Sequence, residues 1–266
     1  MESIGVNPRP KLNAITTKPL PRIVNTIVVY VTMQAEAMPL VQTLNLTEED
    51  EPSIFPKALP WKKYSGTHEG LTVHVVVPGK DLKLGVDSVG TVPVSMLTYA
   101  SIVSLHPDLI INAGTAGGFR AKGAAIGDVF VATQFANHDR RIPVPVFDEY
   151  GIGTLAATPI PNLVKALELK EGKLSTGNSL DMTPQDEEII KANDATIKDM
   201  EGAAVAYVAN LLTVPLIAMK AVTDIVDGDK PTVEEFLENM STAAAALSAT
   251  IPRVLKYINA KSISNL

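Results

Sequence analysis

The run Thr26-Ile-Val-Val-Tyr-Val-Thr32 decides the fold. Its β-branched residues follow one another almost without a polar break, whereas a strand with one wet face would alternate. Such a run belongs inside a sheet that is covered on both sides. Directly after it, Gln34–Leu44 reads as a helix, with Pro39 an awkward guest unless it lies in the first turn. The same succession recurs along the chain. Leu71–Val77 (LTVHVVV) reads as a strand ended by Pro78-Gly79, and Thr91–Leu105 as a helix. Asp108–Asn112 (DLIIN) reads as a strand that runs into Gly114-Thr115-Ala116-Gly117-Gly118. Asp128–Thr133 and Pro215–Ala221 are further strands. Glu201–Leu212 is a helix apolar on nearly every side, and so is expected to be buried. Towards the C-terminus, Phe236, Met240, Ala243, Leu247, Ile251, Val254 and Ile258 form one helical stripe, which Pro252 should kink or divide. His138–Pro161, with prolines at 143, 145, 159 and 161, reads as loop. Strands alternating with helices predict a three-layer α/β/α domain around a mainly parallel or mixed sheet.

Composition narrows the function. The chain has 266 residues, enough for one α/β domain or two small ones with a full core. It has no cysteine, which excludes disulfides, iron–sulfur clusters, thiolate zinc sites and a cysteine nucleophile. The net charge is −6 and the pI near 5.3, the opposite of the basic face expected of a nucleic-acid binder. The four histidines, at 68, 74, 106 and 138, include no i,i+4 pair that could hold a metal on one helix face. The opening MESIGVNPRPKLNAITTKPLPR is polar and lacks the apolar stretch of a secretory signal, and no run approaches membrane-spanning length. These features lead us to expect a flexible tail over residues 1–24, a single domain over 25–266, and a cytoplasmic protein without membrane or nucleic-acid partners. The sequons at Asn45 and Asn239 then read as chance matches.

Five short segments carry residue types suited to chemistry. Met33-Gln-Ala-Glu36 follows the first strand, and its carboxylate would sit where open α/β sheets place ligands. Taken alone, Glu36 is equally a first-turn helix glutamate favoured by the macrodipole. Asn112–Gly118 (NAGTAGG) supplies glycines that let backbone N–H groups approach a ligand. It does not meet the GxGxxG fingerprint, and a tight turn is an equal reading. Ser175–Met182 (STGNSLDM) is a polar loop that by itself signals a turn. Asp199-Met200-Glu201-Gly202 stands at a strand-to-helix junction, and Glu201 beside a buried helix needs a partner. Lys220-Ala-Val-Thr-Asp224 ends an apolar strand, where Asp224 also fits a helix N-cap.

In this order and register, MQAEA, INAGTAGGF, STGNSLDM, DMEGAAVA and KAVTDIVDG closely resemble the 5′-methylthioadenosine nucleosidases of the nucleoside phosphorylase superfamily, the plant type in particular. The resemblance spans about residues 25 to 260. It implies a phosphorylase-like fold acting as a homodimer in methionine salvage. The implied reaction is hydrolysis of the N-glycosidic bond of 5′-methylthioadenosine, with S-adenosylhomocysteine a candidate second substrate and no cofactor or metal. It further implies that Glu36 is the general base that activates water and Asp224 the general acid that protonates N7 of adenine. Glu201 would accept hydrogen bonds from the ribose hydroxyls, with Met200 and Met33 packed nearby. Leu180 would lie on the adenine face and the Asp181 backbone at its edge, with Thr115 and Gly117 lining the site. Val233, together with Ile142 and Pro145 of the partner subunit, would form the slot for the 5′-alkylthio group.

Some positions depart from the family pattern. Asn178 replaces an acidic residue, Lys220 replaces an arginine common in bacterial members, and Gln134–Asn137 before His138–Arg141 is unusual. Two alternatives stand beside the hydrolase. A phosphorylase would attack with phosphate and need an anion cage, for which only Arg140 and Arg141 are at hand. Glu36 would also face the incoming anion, and two unit charges ~4 Å apart at an effective dielectric near 20 repel by about 4 kcal/mol. The other alternative is a non-catalytic storage or sensing protein on the same fold. Such a protein would be expected to have lost the carboxylates that this chain retains.

Overall fold

The protein is described from a computed structural model covering residues 22–49 and 55–266. In chain order the elements begin with β1 (Thr26–Tyr30), α1 (Gln34–Thr43), β2 (Thr47–Glu48), β3 (Lys62–His68), β4 (Leu71–Val77), α2 (Thr91–Leu105) and β5 (Leu109–Gly118). There follow β6 (Val129–Asn137), α3 (Phe147–Ile152), β7 (Leu155–Ala156), α4 (Pro161–Leu167) and β8 (Lys170–Thr176). The last are α5 (Pro184–Ala192), β9 (Ile197–Asp199), α6 (Gly202–Leu211), β10 (Leu216–Ile225) and α7 (Thr232–Ile258).

All ten strands join one mixed sheet in the order β10-β6-β8-β9-β5-β1-β4-β3-β2, with β7 on β6. The strand β1 behaves as its sequence predicts. It lies between β4 and β5, parallel to both. Ile27, Val29 and Val31 enter a core shared with α1 and α7, while Val28 and Tyr30 enter one shared with α2 and α6. Alternate residues thus serve opposite faces, and both faces are dry.

The sheet does more than the alternation of strands and helices predicts. Because β10 pairs with β5 as well as with β6, strands β5, β9, β8, β6 and β10 close on themselves. The strand β5 makes this possible through its length. Its first half pairs with β1, its last two residues pair antiparallel with β9, and β10 accompanies it throughout.

Several local expectations are corrected. Pro39 sits in the second turn of α1, not the first. Pro252 lies inside α7, which continues through it undivided. The strand β10 runs on to Ile225, so Asp224 is a strand residue; the residue flanking the start of α7 is Pro231. The stretch read as loop contains the short α3 and β7. Of the expected tail, residues 1–21 lie outside the described residues. Its end is docked: Ile23 bridges to Ser262, and the buried Val24 donates its N–H to the Lys261 carbonyl at 2.9 Å. No helix among the described residues is long and apolar enough to cross a membrane.

Ile111 of β5 is fully buried between β1 and β10. Ile111→Ala is expected to lower unfolding stability by about 2–5 kcal/mol, the range for truncation of a large core side chain. Denaturant titration of the two proteins measures it.

Candidate active site

A cavity of about 520 Å³ opens where β1, β5, β9 and β10 end. Eight of the residues singled out from sequence line it: Met33, Glu36, Thr115, Gly117, Leu180, Met200, Glu201 and Asp224. The three carboxylates, spread over 189 positions of sequence (36 to 224 inclusive), therefore share one space. Asp181, Val233, Ile142 and Pro145 do not line it. Val233 is 52 % exposed in the first turn of α7, and Phe236, three residues on, lines the cavity. Ile142 is half-buried and Pro145 exposed on the connection after β6.

The glycine-rich segment is the end of β5, and its small residues make room for acids. Thr115 holds Glu36 by two bonds to one carboxylate oxygen, from its N–H at 3.1 Å and its hydroxyl at 2.5 Å. Gly117 is paired with Asp224 across the β5–β10 ladder. A Cβ on Gly117 would lie 2.8 Å from Asp224 Oδ2 and 2.5 Å from a Val226 methyl, so only glycine admits the acid there. The ladder shifts register between Val222 and Asp224. Such a bulge lets the neighbours Thr223 and Asp224 both face the cavity, which a regular strand forbids. The Thr223 hydroxyl then donates to Asp224 Oδ1 at 2.7 Å.

Lys220 stands at the centre. Its side chain is 1 % exposed, and Nζ is 2.8 Å from Asp199 Oδ2. Burial alone would pull this lysine down, but Asp199, Glu201 and Glu36 together hold it above its ordinary value. Asp199 in turn accepts from the Thr176 hydroxyl at 2.6 Å and from the Gly202 N–H at 2.8 Å, fixing the start of α6. Glu201 accepts from the Gly90 N–H at 2.8 Å, ahead of α2. Gly90 has φ +95°, a backbone shape that L side chains rarely adopt.

Each carboxyl responds to its surroundings. Burial raises Glu36, against the pull of Thr115 and Lys220. Burial and the neighbouring Asp199 push Glu201 up to about 7, with Lys220 and Gly90 opposing. Burial raises Asp224 as well, opposed by Thr223 and Lys198.

Asn178, one of the departures noted in the sequence, has a structural explanation. Asn178 accepts from the Thr91 N–H and hydroxyl, both at 2.9 Å, and so caps α2 from outside. Its own N–H and amide group donate to Asp139 at 2.7 and 2.9 Å, a pairing that a carboxylate at 178 could not make through its side chain. Arg141 is paired with Asp186, and Arg140 lies over the Tyr150 ring. Neither arginine lines the cavity. Lys198 and Asp199 of β9 and Thr223 of β10 are site residues that sequence reasoning missed. Asp199 and Thr223 lie inside segments quoted from the sequence, and Lys198 directly precedes one of them. Asn239, of the second sequon, donates its amide to the Thr223 and Glu235 carbonyls.

A closed mixed sheet with a carboxylate-lined cavity at its strand ends defines the class. The Phosphorylase superfamily is matched over residues 26–256, and the chain belongs to it. Within it, the chain belongs with the 5′-methylthioadenosine nucleosidases. It is 57 % identical over 245 residues to an Arabidopsis thaliana 5′-methylthioadenosine nucleosidase, covering 92 % of this chain and 91 % of that one. It is likewise 57 % identical to a 5′-methylthioadenosine/S-adenosylhomocysteine nucleosidase of the same plant, covering 92 % and 96 %. The solved apo structure of Arabidopsis thaliana 5′-methylthioadenosine nucleosidase superposes with a TM-score of 0.91 at 56 % identity, covering 92 % of this chain and all of that one.

The position of Glu201 carries a pH signature. Its folded pKa of about 7 lies above the ordinary value of 4.5, so the folded state holds a proton that the unfolded state has lost. Stability from this group is therefore complete below pH ~4.5 and lost as pH rises through ~7. Glu201→Gln is expected to flatten the fall in unfolding midpoint between pH 5 and 8, as read by thermal melts across that range.

Proposed function

We propose that this protein hydrolyses the N-glycosidic bond of 5′-methylthioadenosine, releasing adenine and 5-methylthioribose. The observation that carries this reading is the meeting of Glu36, Glu201 and Asp224 on one cavity whose lining, among the described residues, includes no arginine. In the reaction the C1′–N9 bond breaks and its electron pair moves into the base. In this reading Asp224, kept protonated by burial, passes its proton to N7, so that a neutral adenine leaves. Water bonds to C1′ and gives a proton to Glu36, which Thr115 holds in place. Glu201 accepts the ribose hydroxyls and steadies the positive charge that builds on the sugar. Met33 and Met200 pack on the ribose, Leu180 on the adenine, and the Asp181 backbone reads its edge. Gly117 leaves space for the acid. S-adenosylhomocysteine differs in its 5′ substituent, so the same three carboxylates would serve it.

We read residues 25–266 as one nucleosidase domain and the protein as a cytoplasmic homodimer. Its 5′-alkylthio slot would be formed by Val233 with Ile142 and Pro145 of the partner subunit. An exposed apolar stripe on α2, made by Val92, Met96, Tyr99 and Val103 at spacings of four, three and four, supports a partner copy. Isolated exposed apolar residues are ordinary; a contiguous stripe marks an interface.

Purified protein is expected to release adenine from 5′-methylthioadenosine equally fast with and without phosphate. Asp224→Asn is expected to lower kcat by at least about 10²-fold while substrate-analogue affinity stays near normal. Strict phosphate dependence, or an Asp224→Asn variant with near-normal turnover, would overturn the reading. The ratio of kcat/KM for the two nucleosides measures how far the slot accepts the longer substituent.

Sedimentation is expected to give twice the 28.3 kDa chain mass, and Tyr99→Arg to shift the protein towards monomer with a raised KM. A wild-type monomer with full activity would remove the partner's role.

A further inference from the structure

Lys198 is the cation on the base side of the cavity. It projects from β9, which is held there between Ser175 of β8 and Gly117 of β5. The residue is 5 % exposed and lines the cavity. Its Nζ donates to two successive carbonyls, Ser179 at 3.0 Å and Leu180 at 2.8 Å. No carboxylate oxygen among the described residues lies within ion-pair distance of it. An ammonium buried on carbonyls alone is expensive to keep. Burial indeed pulls Lys198 below the ordinary lysine value, although Asp224, Asp199, Asp181 and Asp186 all act to hold its proton.

We propose that Lys198 is a positioning residue for the hydrolysis described above: its carbonyl bonds hold Leu180 and the Asp181 backbone against the base, and its charge steadies Asp224 after the proton has left. This rests on the hydrolytic reading. As C1′–N9 breaks, the electron pair enters the adenine ring, the Asp224 proton passes to N7, and Asp224 is left as an anion. The groups that face Asp224 act on that anion in opposite directions. Glu235 from α7 repels it, while Lys198 from β9 attracts it and the Thr223 hydroxyl donates to it. Around Lys198 itself stand Asp181, Asp186 and Asp199. His138 is also near, held below its ordinary value by burial and then by this lysine. A lysine here therefore makes Asp224 a stronger acid and fixes the loop that meets the base.

Two substitutions separate these effects. Lys198→Gln keeps a donor for the carbonyls and removes the charge, whereas Lys198→Met removes both. With Lys198→Gln, kcat at neutral pH is expected to fall about tenfold with KM little changed. The alkaline limb of kcat/KM should move up by about one pH unit, because Asp224 loses its proton less readily without the cation. Lys198→Met should show the same displaced limb with KM raised several-fold, and Lys198→Arg should return the limb towards wild type. If Lys198→Met does not fold, the glutamine and arginine variants alone decide the matter. An unmoved limb in Lys198→Gln overturns the proposal even if activity falls. Wild-type protein that released no adenine would overturn the hydrolytic reading instead, so the two failures are distinguishable.

Discussion

Taking a lysine ammonium out of water costs several kcal/mol, and Lys220 does so in the middle of β10 at 1 % exposure. The cost is offset only if anions surround it at close range and stay there. Asp199 does this directly at 2.8 Å, and Glu201 and Glu36 add their fields. The converse constraint is as strong: three carboxylates cannot be gathered in a dry pocket unless a cation stands among them. Each acid is then fastened to a different part of the backbone. Asp199 holds the start of α6, Glu201 the turn before α2, and Glu36 the end of β5. One charge thus ties together the elements that close the cavity. Three acids against one ammonium still leave an excess of negative charge. Burial first, and then the charge of Asp199, push Glu201 up to about 7, so part of that excess is absorbed by a proton.

Asp224 stands apart from this cluster, and the separation suits its assigned task. Lys220 acts on Glu36 and Glu201, whereas the cation that acts on Asp224 is Lys198. Glu36, the base of the proposed reaction, has the charge of Lys220 and a pair of Thr115 donors opposing its burial. Asp224, the acid of the proposed reaction, is likewise raised chiefly by burial, with the Thr223 hydroxyl and Lys198 opposing. The two carboxyls thus differ in the partners around them, and in the proposed reaction that difference separates base from acid. The strand bulge at Val222–Asp224 and the missing side chain at Gly117 are the backbone features that make this second end possible.

Much of this was legible in the sequence, but unevenly. The run Thr26–Thr32 declared a doubly covered strand because burial on two faces writes itself as unbroken β-branched residues. The polar strands β3 (KKYSGTH) and β8 (KEGKLST) carry no such mark, since part of each is exposed and their pairing is set by distant neighbours. The five segments around the cavity could be recognised because each keeps its chemistry in a few adjacent residues. Lys220 was legible only as a departure from a pattern. Its centrality depends on Asp199, Glu201 and Glu36 arriving from other strands, which spacing does not encode. That Phe236 lines the cavity and Val233 does not is a matter of helix phase, fixed by where α7 begins at Thr232. Asp224 looked like an N-cap because nothing local reveals that β10 continues past a bulge.

The same charge inventory bears on the nucleophile. A phosphate entering beside the ribose would need cations free to meet it. Lys220 is committed to Asp199, and Lys198 spends two of its three N–H groups on carbonyls. Lys80 lines the cavity but is exposed, where water screens it, and the two arginines of the following loop are engaged with Asp186 and Tyr150. The anion would instead approach Glu36 and Glu201, and their repulsion would act between buried groups, where water screens it less. A water molecule meets none of these obstacles. It is neutral on entry, and the carboxylate that would repel phosphate is the group that, in the proposed reaction, takes the water's proton. The feature that disfavours the phosphorolytic route is therefore the one that the hydrolytic route requires.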